Sequence, residues 1–210
     1  MAYGSYEGVL RDLIHLLKFD QVRPIAPVLG RMLADTIAAL EPALPSGTIA
    51  VVPVPLHRKK RAERGFNQAE VIARATLDHL ARRGKFEARF ELCAGALVRA
   101  RDTGSQIGLS HRQRRENLRD AFVVREPASI LKRSILLVDD VLTTGATASE
   151  CARVLRRAGA GRVWVATVAR TLKVQDASVI VGDLPGRQSQ DENGEESERV
   201  AIAESISRRA

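Results

Sequence analysis

The sequence predicts an α/β fold: a mostly parallel, doubly wound sheet flanked by helices. Three observations carry that prediction. Apolar, β-branched runs of strand length recur at residues 48–54, 135–138 and 161–170, the pattern of strands buried on both faces. Segments of helical period separate them, so crossover helices are the natural connections. The run at 135–138 leads directly into a Thr/Gly turn and a further helical segment, which is the βα unit of such sheets.

Composition sets the outer bounds. At 210 residues, 45% hydrophobic and 28% charged, the chain is long enough to bury a real core and reads as a globular protein. Apolar stretches are interrupted well short of the roughly twenty residues a spanning helix requires, so no membrane partner is expected. The start, MAYGSYEG, lacks the basic and apolar blocks of a secretory signal, and a cytoplasmic location is expected. Cys93 and Cys151 stand far apart with no CxxC or Cys/His cluster; they read as reduced core thiols, with no zinc site visible. Charge is uneven. Residues 173–210 hold eight Asp/Glu and five Lys/Arg, a net −3, so against the +8 of the whole chain residues 1–172 carry +11, a balance that attracts polyanions.

In chain order, residues 5–19 place Val9, Leu10, Leu13, Ile14 and Leu17 on one face. That is an amphipathic helix starting near Tyr6 or Glu7, with His15 structural. Residues 24–40 form a second helix, with Pro24 near its start, where a missing N–H is harmless; Pro42, Pro45 and Ser46-Gly47 close it. The strand at 48–54 follows, with Pro53 near its end. Next comes a basic loop, with five Lys/Arg between Arg58 and Arg64, at the strand end where doubly wound sheets bind ligands. His57 and Asn67-Gln68 add donors. A helix then carries Ala69, Ile72, Ala73, Thr76 and Leu80 on one face. Residues 86–98 suggest one or two strands with a bend at Gly95. Residues 99–119 hold six Arg against Asp102 and Glu116, and become helix-compatible from Ser110, a good N-cap. Long polar insertions of this kind are functional or disordered. Residues 121–124 form a short strand. The body ends near Leu172; residues 173–210 are expected to form a polar, largely disordered extension.

Residues 134–148, SILLVDDVLTTGATA, organise the rest. The strand is expected to stop at Asp139 and Asp140. Val141-Leu142 lead into Thr143-Thr144-Gly145-Ala146-Thr147, and a helix follows from Ala148, with Ala148, Cys151, Ala152 and Leu155 on its buried face and Gly159 at its end. Turn amides, Thr hydroxyls and a helix N-terminus suit a phosphate monoester. The carboxylates repel phosphate and so require hydroxyls or a metal. A ribose 5-phosphate meets both demands, with its phosphate in the turn and its 2′ and 3′ hydroxyls on Asp139 and Asp140. The alternative is an ordinary βα turn with solvated carboxylates.

The stretch ILLVDDVLTTGAT resembles the phosphoribosyl-pyrophosphate (PRPP) motif of type I phosphoribosyltransferases. Tyr6-x-Gly8 with Lys18, VPVPLHRKKRAERGFNQAE, Arg101-x-Thr103-x-x-Gln106-x-x-Leu109 and Arg114-x-x-Asn117 occur around it in order. Together they resemble the ComF/GntX branch over residues 3–172, and the resemblance implies the type I phosphoribosyltransferase fold. Members commonly begin with a zinc ribbon of paired CxxC motifs, which this sequence does not contain.

The resemblance further implies PRPP binding by Asp139, Asp140, Val141, Thr143, Thr144, Gly145, Ala146, Thr147, His57, Arg58 and Lys59. Asp139 and Asp140 would reach a Mg²⁺ ion, directly or through the sugar and waters. Arg58 and Lys59 would stabilise departing pyrophosphate. Arg101, Thr103, Gly104, Gln106 and Leu109 would form a closing lid, and Asp139, Asp140, Arg58 and Gln106 are the catalytic candidates. The reaction implied is phosphoribosyl transfer in nucleotide metabolism. A non-catalytic PRPP sensor with a role in competence is the alternative. The partners expected are PRPP or a nucleotide, single-stranded DNA, DNA-uptake proteins, and a second copy of the chain in a homodimer.

Overall fold

The structure is a computed structural model that describes residues 1–84, 89–102 and 111–171. Among these residues a five-stranded, all-parallel sheet runs in the order β1-β7-β6-β2-β3, and β4 and β5 form a separate antiparallel pair. The main strands are β1 (Ala2–Ser5), β2 (Ile49–Pro53), β3 (Phe90–Leu92), β6 (Ser134–Leu142) and β7 (Val163–Arg170); the small pair is β4 (Leu97–Arg99) and β5 (Phe122–Val124). The helices are α1 (Gly8–Lys18), α2 (Ala26–Leu40), α3 (Arg58–Arg64), α4 (Gln68–Arg82), α5 (His111–Leu118) and α6 (Ala146–Arg157).

Alternation along the strands feeds two cores. Ile49 and Val51 of β2 and Leu136 and Val138 of β6 face α1, α2 and α4. Ala50 and Val52, with Ile135 and Leu137, face α6 and the β4–β5 layer. Both sheet faces are thus covered, and the expected fold class is the observed one. The connection after β2 passes through α4 to β3, and the one after β6 passes through α6 to β7 on the other side. β2 and β6 therefore flank a topological switch point, where a crevice opens beyond the carboxyl ends of the strands.

Several boundaries differ from expectation. β1 pairs with β7 at the sheet edge and was not anticipated, because four residues that are mostly small carry little strand signal. On α1, which begins at Gly8, Ile14 and Leu17 are buried but Val9, in the first turn, is exposed. His15 is exposed and stacks against the Phe19 ring at 5.1 Å. The basic run is a helix, α3, not a loop. Gly65 ends it in the left-handed conformation at φ 72°, the usual work of a glycine there.

α2 and α4 pack backbone to backbone at Gly30. A Cβ at this position would stand 2.6 Å from the Ala75 Cβ and 2.9 Å from the Thr76 amide nitrogen. Gly30→Ala gains about 1 kcal/mol of helix propensity, yet overpacking costs about 1–3 kcal/mol. We expect net destabilisation, read as a lower urea midpoint; a raised midpoint would show that the helices separate freely.

Candidate functional site

β6 does not stop at its acids. It continues to Leu142, because β7 keeps pairing with it through Asp139↔Thr167, Val141↔Ala169 and Leu142↔Arg170. On the other side the β2 ladder ends at Pro53↔Val138. The Val54 amide still donates to the Val138 carbonyl, and the buried Asn67 Nδ2 donates to the Val54 carbonyl at 3.0 Å. The β2 chain then veers away, leaving residues 139–142 paired on one side and open to the crevice on the other.

Consecutive strand positions point to opposite faces, and this separates the acid pair. Asp140 lies on the α1 side, buried at 4% exposure, with Lys18 Nζ 2.8 Å from its Oδ2. Asp139 lies on the α6 side, beside Cys151 and Arg99, and its Oδ1 accepts the Asp140 amide at 2.9 Å. Burial, then the Asp140 charge, pushes the Asp139 carboxyl up to about 8. Burial by itself lowers Lys18, but the attraction and hydrogen bond of Asp140 outweigh it and hold the ammonium above its ordinary value. The free site thus answers the repulsion expected between two carboxylates and an anion. Lys18 balances one acid, and burial disfavours the charged form of the other.

The turn follows directly. Gly145 adopts φ 73°, and its carbonyl accepts the Ser149 amide at 2.8 Å, opening α6. The Thr144 hydroxyl accepts the Ala146 amide at a long 3.4 Å. Thr171 braces the loop, its amide donating to the Leu142 carbonyl and its hydroxyl to the Thr143 carbonyl. α6 begins at Ala146 instead of Ala148, so Ala146 and Thr147 belong to its first turn, where amides lack intrahelical acceptors. Residues 143–147 therefore form a tight turn that runs into the first turn of α6, directly after the strand that carries Asp139.

Across the crevice, His57 and exposed Arg58 and Lys59 begin α3. A parallel bridge joins His57 to Arg99, and His57 Nδ1 lies 3.7 Å from Asp102. The basic run and the start of the polar insertion are therefore neighbours. Arg101 donates to the Asn117 and Arg119 carbonyls at 2.8 and 2.7 Å, so it ties the insertion's base to the end of α5. Thr103, Gly104, Gln106 and Leu109 lie outside the described residues, as do Ser110 and the extension over 173–210.

Asn67 and Gln68 are corrections. Asn67 caps α4 by accepting the Ala69 amide, and Gln68 accepts from Arg64. Both are buried and hold the loop: the Asn67 side-chain amide is used on both its atoms, and Gln68 engages its oxygen. The residues without an assigned role in the sequence reading are Lys18, Arg99 and Thr167. Lys18 and Arg99 stood within recognisable stretches, but nothing local marked their partners. The buried Thr167 hydroxyl, opposite Asp139, lacks a hydrogen-bond partner among the described residues.

For a metal, the donor set is thin. No group of three His, Cys, Asp or Glu side chains gathers among the described residues. Asp139 and Asp140 face apart, with Lys18 on the latter. These residues do not make a protein cage for Mg²⁺, which is in any case bound through one or two carboxylates together with substrate phosphates and waters. Among the described residues no helix is long and apolar enough to cross a membrane.

Comparison with known proteins places this geometry in context. No family profile matches the chain. The DNA utilization protein YhgH of Escherichia coli is 35% identical over 170 residues, covering 80% of this chain and 70% of that protein. Competence protein F of Haemophilus influenzae is 31% identical over 172 residues, covering 80% and 70%. Among solved structures, the hypoxanthine-guanine phosphoribosyltransferase of Schistosoma mansoni in complex with IMP superposes with a TM-score of 0.37 at 16% identity, covering 70% of this chain and 57% of that one.

Proposed function

This chain belongs to the ComF family of competence and DNA-utilization proteins, and from that premise we propose that its crevice binds PRPP and transfers the phosphoribosyl group to a nitrogen nucleophile. One observation carries the reading: the carboxyl end of β6 bears an acid pair and turns at once, through Gly145, into the N-terminus of α6. The 5-phosphate sits on Thr143, Thr144, Gly145 and the first amides of α6. The ribose hydroxyls meet Asp139 and Asp140. His57, Arg58 and Lys59 face the diphosphate, with Val141 lining the sugar.

Catalysis on this reading is positioning and charge stabilisation, without a protein nucleophile. The side chains hold the sugar by its hydroxyls and its phosphate, so that only the anomeric carbon moves as its bond to diphosphate breaks. The cations of α3 stabilise the leaving charge, while Arg101 anchors an insertion whose Gln106 and neighbours exclude water. A Mg²⁺ ion would be held by the diphosphate together with Asp139 or Asp140, directly or through water, and would supply charge neutralisation to the leaving group.

The names of the relatives favour a second reading, in which the occupied pocket is a sensor. There the exposed cations of α3 meet single-stranded DNA or a DNA-uptake protein.

Calorimetric titration with PRPP and Mg²⁺ tests the pocket. Wild type is expected to bind, and Asp139→Asn/Asp140→Asn to lose at least ~30-fold in affinity, since hydrogen bonds to charged groups are each worth about 1.5–3 kcal/mol. Undiminished binding by that variant would remove the assignment. Pyrophosphate release across a panel of bases then separates enzyme from sensor. PRPP binding with no release on any base would favour the second reading.

A further inference from the structure

We propose that the Lys18–Asp140 pair selects the sugar: Lys18 is a positioning residue that fixes the Asp140 carboxylate under α1, where it accepts one hydroxyl of a ribose diol and rejects the corresponding deoxy sugar. The inference deepens the phosphoribosyl reading and rests on it.

The geometry of the pair is unusual for a surface ion pair. The side chains are 17% and 5% exposed and the charged atoms are 2.8 Å apart. Lys18 is the last residue of α1, whose neighbouring Ile14 and Leu17 are fully buried against the sheet and whose His15 carbonyl accepts the Phe19 amide. The ammonium therefore comes from a packed element rather than a free side chain on a loop. Strand alternation explains why the pair is needed. Asp140 cannot share the environment of Asp139, and without Lys18 it would be a buried carboxylate with no compensating charge.

Asp140 is also incompletely satisfied. Its Oδ2 is buried against Lys18 Nζ at 2.8 Å, and one cation does not fill the roughly four lone-pair sites of a carboxylate. A carboxylate held in this way retains room for a further donor. A ligand hydroxyl supplies that donor. A ligand without it leaves a buried acceptor unfilled, and sites of this type discriminate strongly against the analogue that lacks the group. The crevice is accordingly built for a ribo sugar, and a deoxyribonucleotide does not complete it. Any contact with DNA then falls on other surfaces of the chain.

The test is calorimetry of the full chain with PRPP, ribose 5-phosphate, its 2-deoxy and 3-deoxy analogues, and inorganic pyrophosphate. The proteins are wild type, Lys18→Met, Lys18→Arg and Lys18→Met/Asp140→Asn, each with a thermal melt. Wild type is expected to prefer ribose 5-phosphate over one of the deoxy analogues by ~100-fold or more. Lys18→Met should shrink that preference to about 5-fold or less, with pyrophosphate affinity unchanged, because a lost positioning contact affects only the hydroxyl. Lys18→Arg should restore most of it. The double variant should discriminate no better than Lys18→Met.

A folded Lys18→Met protein that keeps the full preference overturns the proposal and leaves the phosphoribosyl reading standing. Failure of wild type to bind PRPP overturns that reading, and the proposal with it. Should Lys18→Met not fold, the other two variants carry the comparison, since one keeps the buried charge paired and the other removes it. Full discrimination by the double variant would overturn the proposal equally.

Discussion

Gly145→Val is expected to lower the affinity for PRPP, and for inorganic phosphate, by about 100-fold, equivalent to roughly 2.7 kcal/mol. Gly145 holds φ 73° between Thr144 and the first turn of α6, and a β-branched residue there is a steric outlier. The strain is relieved by moving the backbone, and the backbone is what presents the amides to the phosphate. Packing is not the cause, because the nearest atom to an added Cβ is Leu142 Cδ1 at 4.0 Å. Gly47 supplies the control. It has φ 92° with nothing within 4 Å of a Cβ, and it precedes β2, at the opposite end of the sheet from the crevice. Gly47→Val should lose comparable stability and no affinity. Equal losses of affinity in both variants would show that global strain, not the turn, was being measured.

The second large effect concerns stability and pH. The folded protein holds the Asp139 carboxyl at about 8 against an ordinary 3.8, so folding favours its protonated form. A carboxyl raised in this way contributes its full stability below pH ~4, and that contribution is lost as the pH climbs from ~4 through ~8. Asp139→Asn removes the titrating group. The variant should therefore gain on wild type as pH rises, with a relative advantage at pH 9 over pH 5 of about 1–3 kcal/mol. The upper limit between these two pH values, about three units from pH 5 to the folded value, is about 4 kcal/mol, reduced because the carboxyl retains some solvent contact. Urea unfolding at both pH values measures it. A variant whose difference from wild type is the same at both would show that Asp139 ionises freely in the folded chain. The same substitution is expected to weaken PRPP binding, so greater stability and poorer function go together at this position.

These two residues also show how far the chain could be read without coordinates. The strand, acid pair, Thr/Gly turn and helix were legible because apolar runs, turn residues and helical spacing are local properties. The faces of α4 and α6 were legible for the same reason: Ala69, Ile72, Ala73, Thr76 and Leu80 are all buried, as are Ala148, Cys151 and Leu155, while Ala152 of the same face is half-buried. Reading failed where partners are remote. β1 is too short to be noticed until β7 pairs with it. The end of β6 was misplaced because its extra residues are held by a ladder to β7 and not by their own composition. α3 was missed because a run of charges suggests solvated chain, whereas the Gly65 stop and the bridge from His57 to Arg99 define it.

By itself the sequence determined the fold class, the family resemblance and the chemical character of the crevice, since each depends on which residues follow one another. Only the tertiary structure decided that the acids face opposite ways, that Lys18 pairs with Asp140, and that Asn67 and Gln68 hold the loop through Val54, Ala69 and Arg64. Those outcomes depend on which groups far apart in the chain are brought within a few ångströms when α1 and α4 settle on the sheet. Charge and hydrogen bonding act over that distance, and no local pattern specifies it.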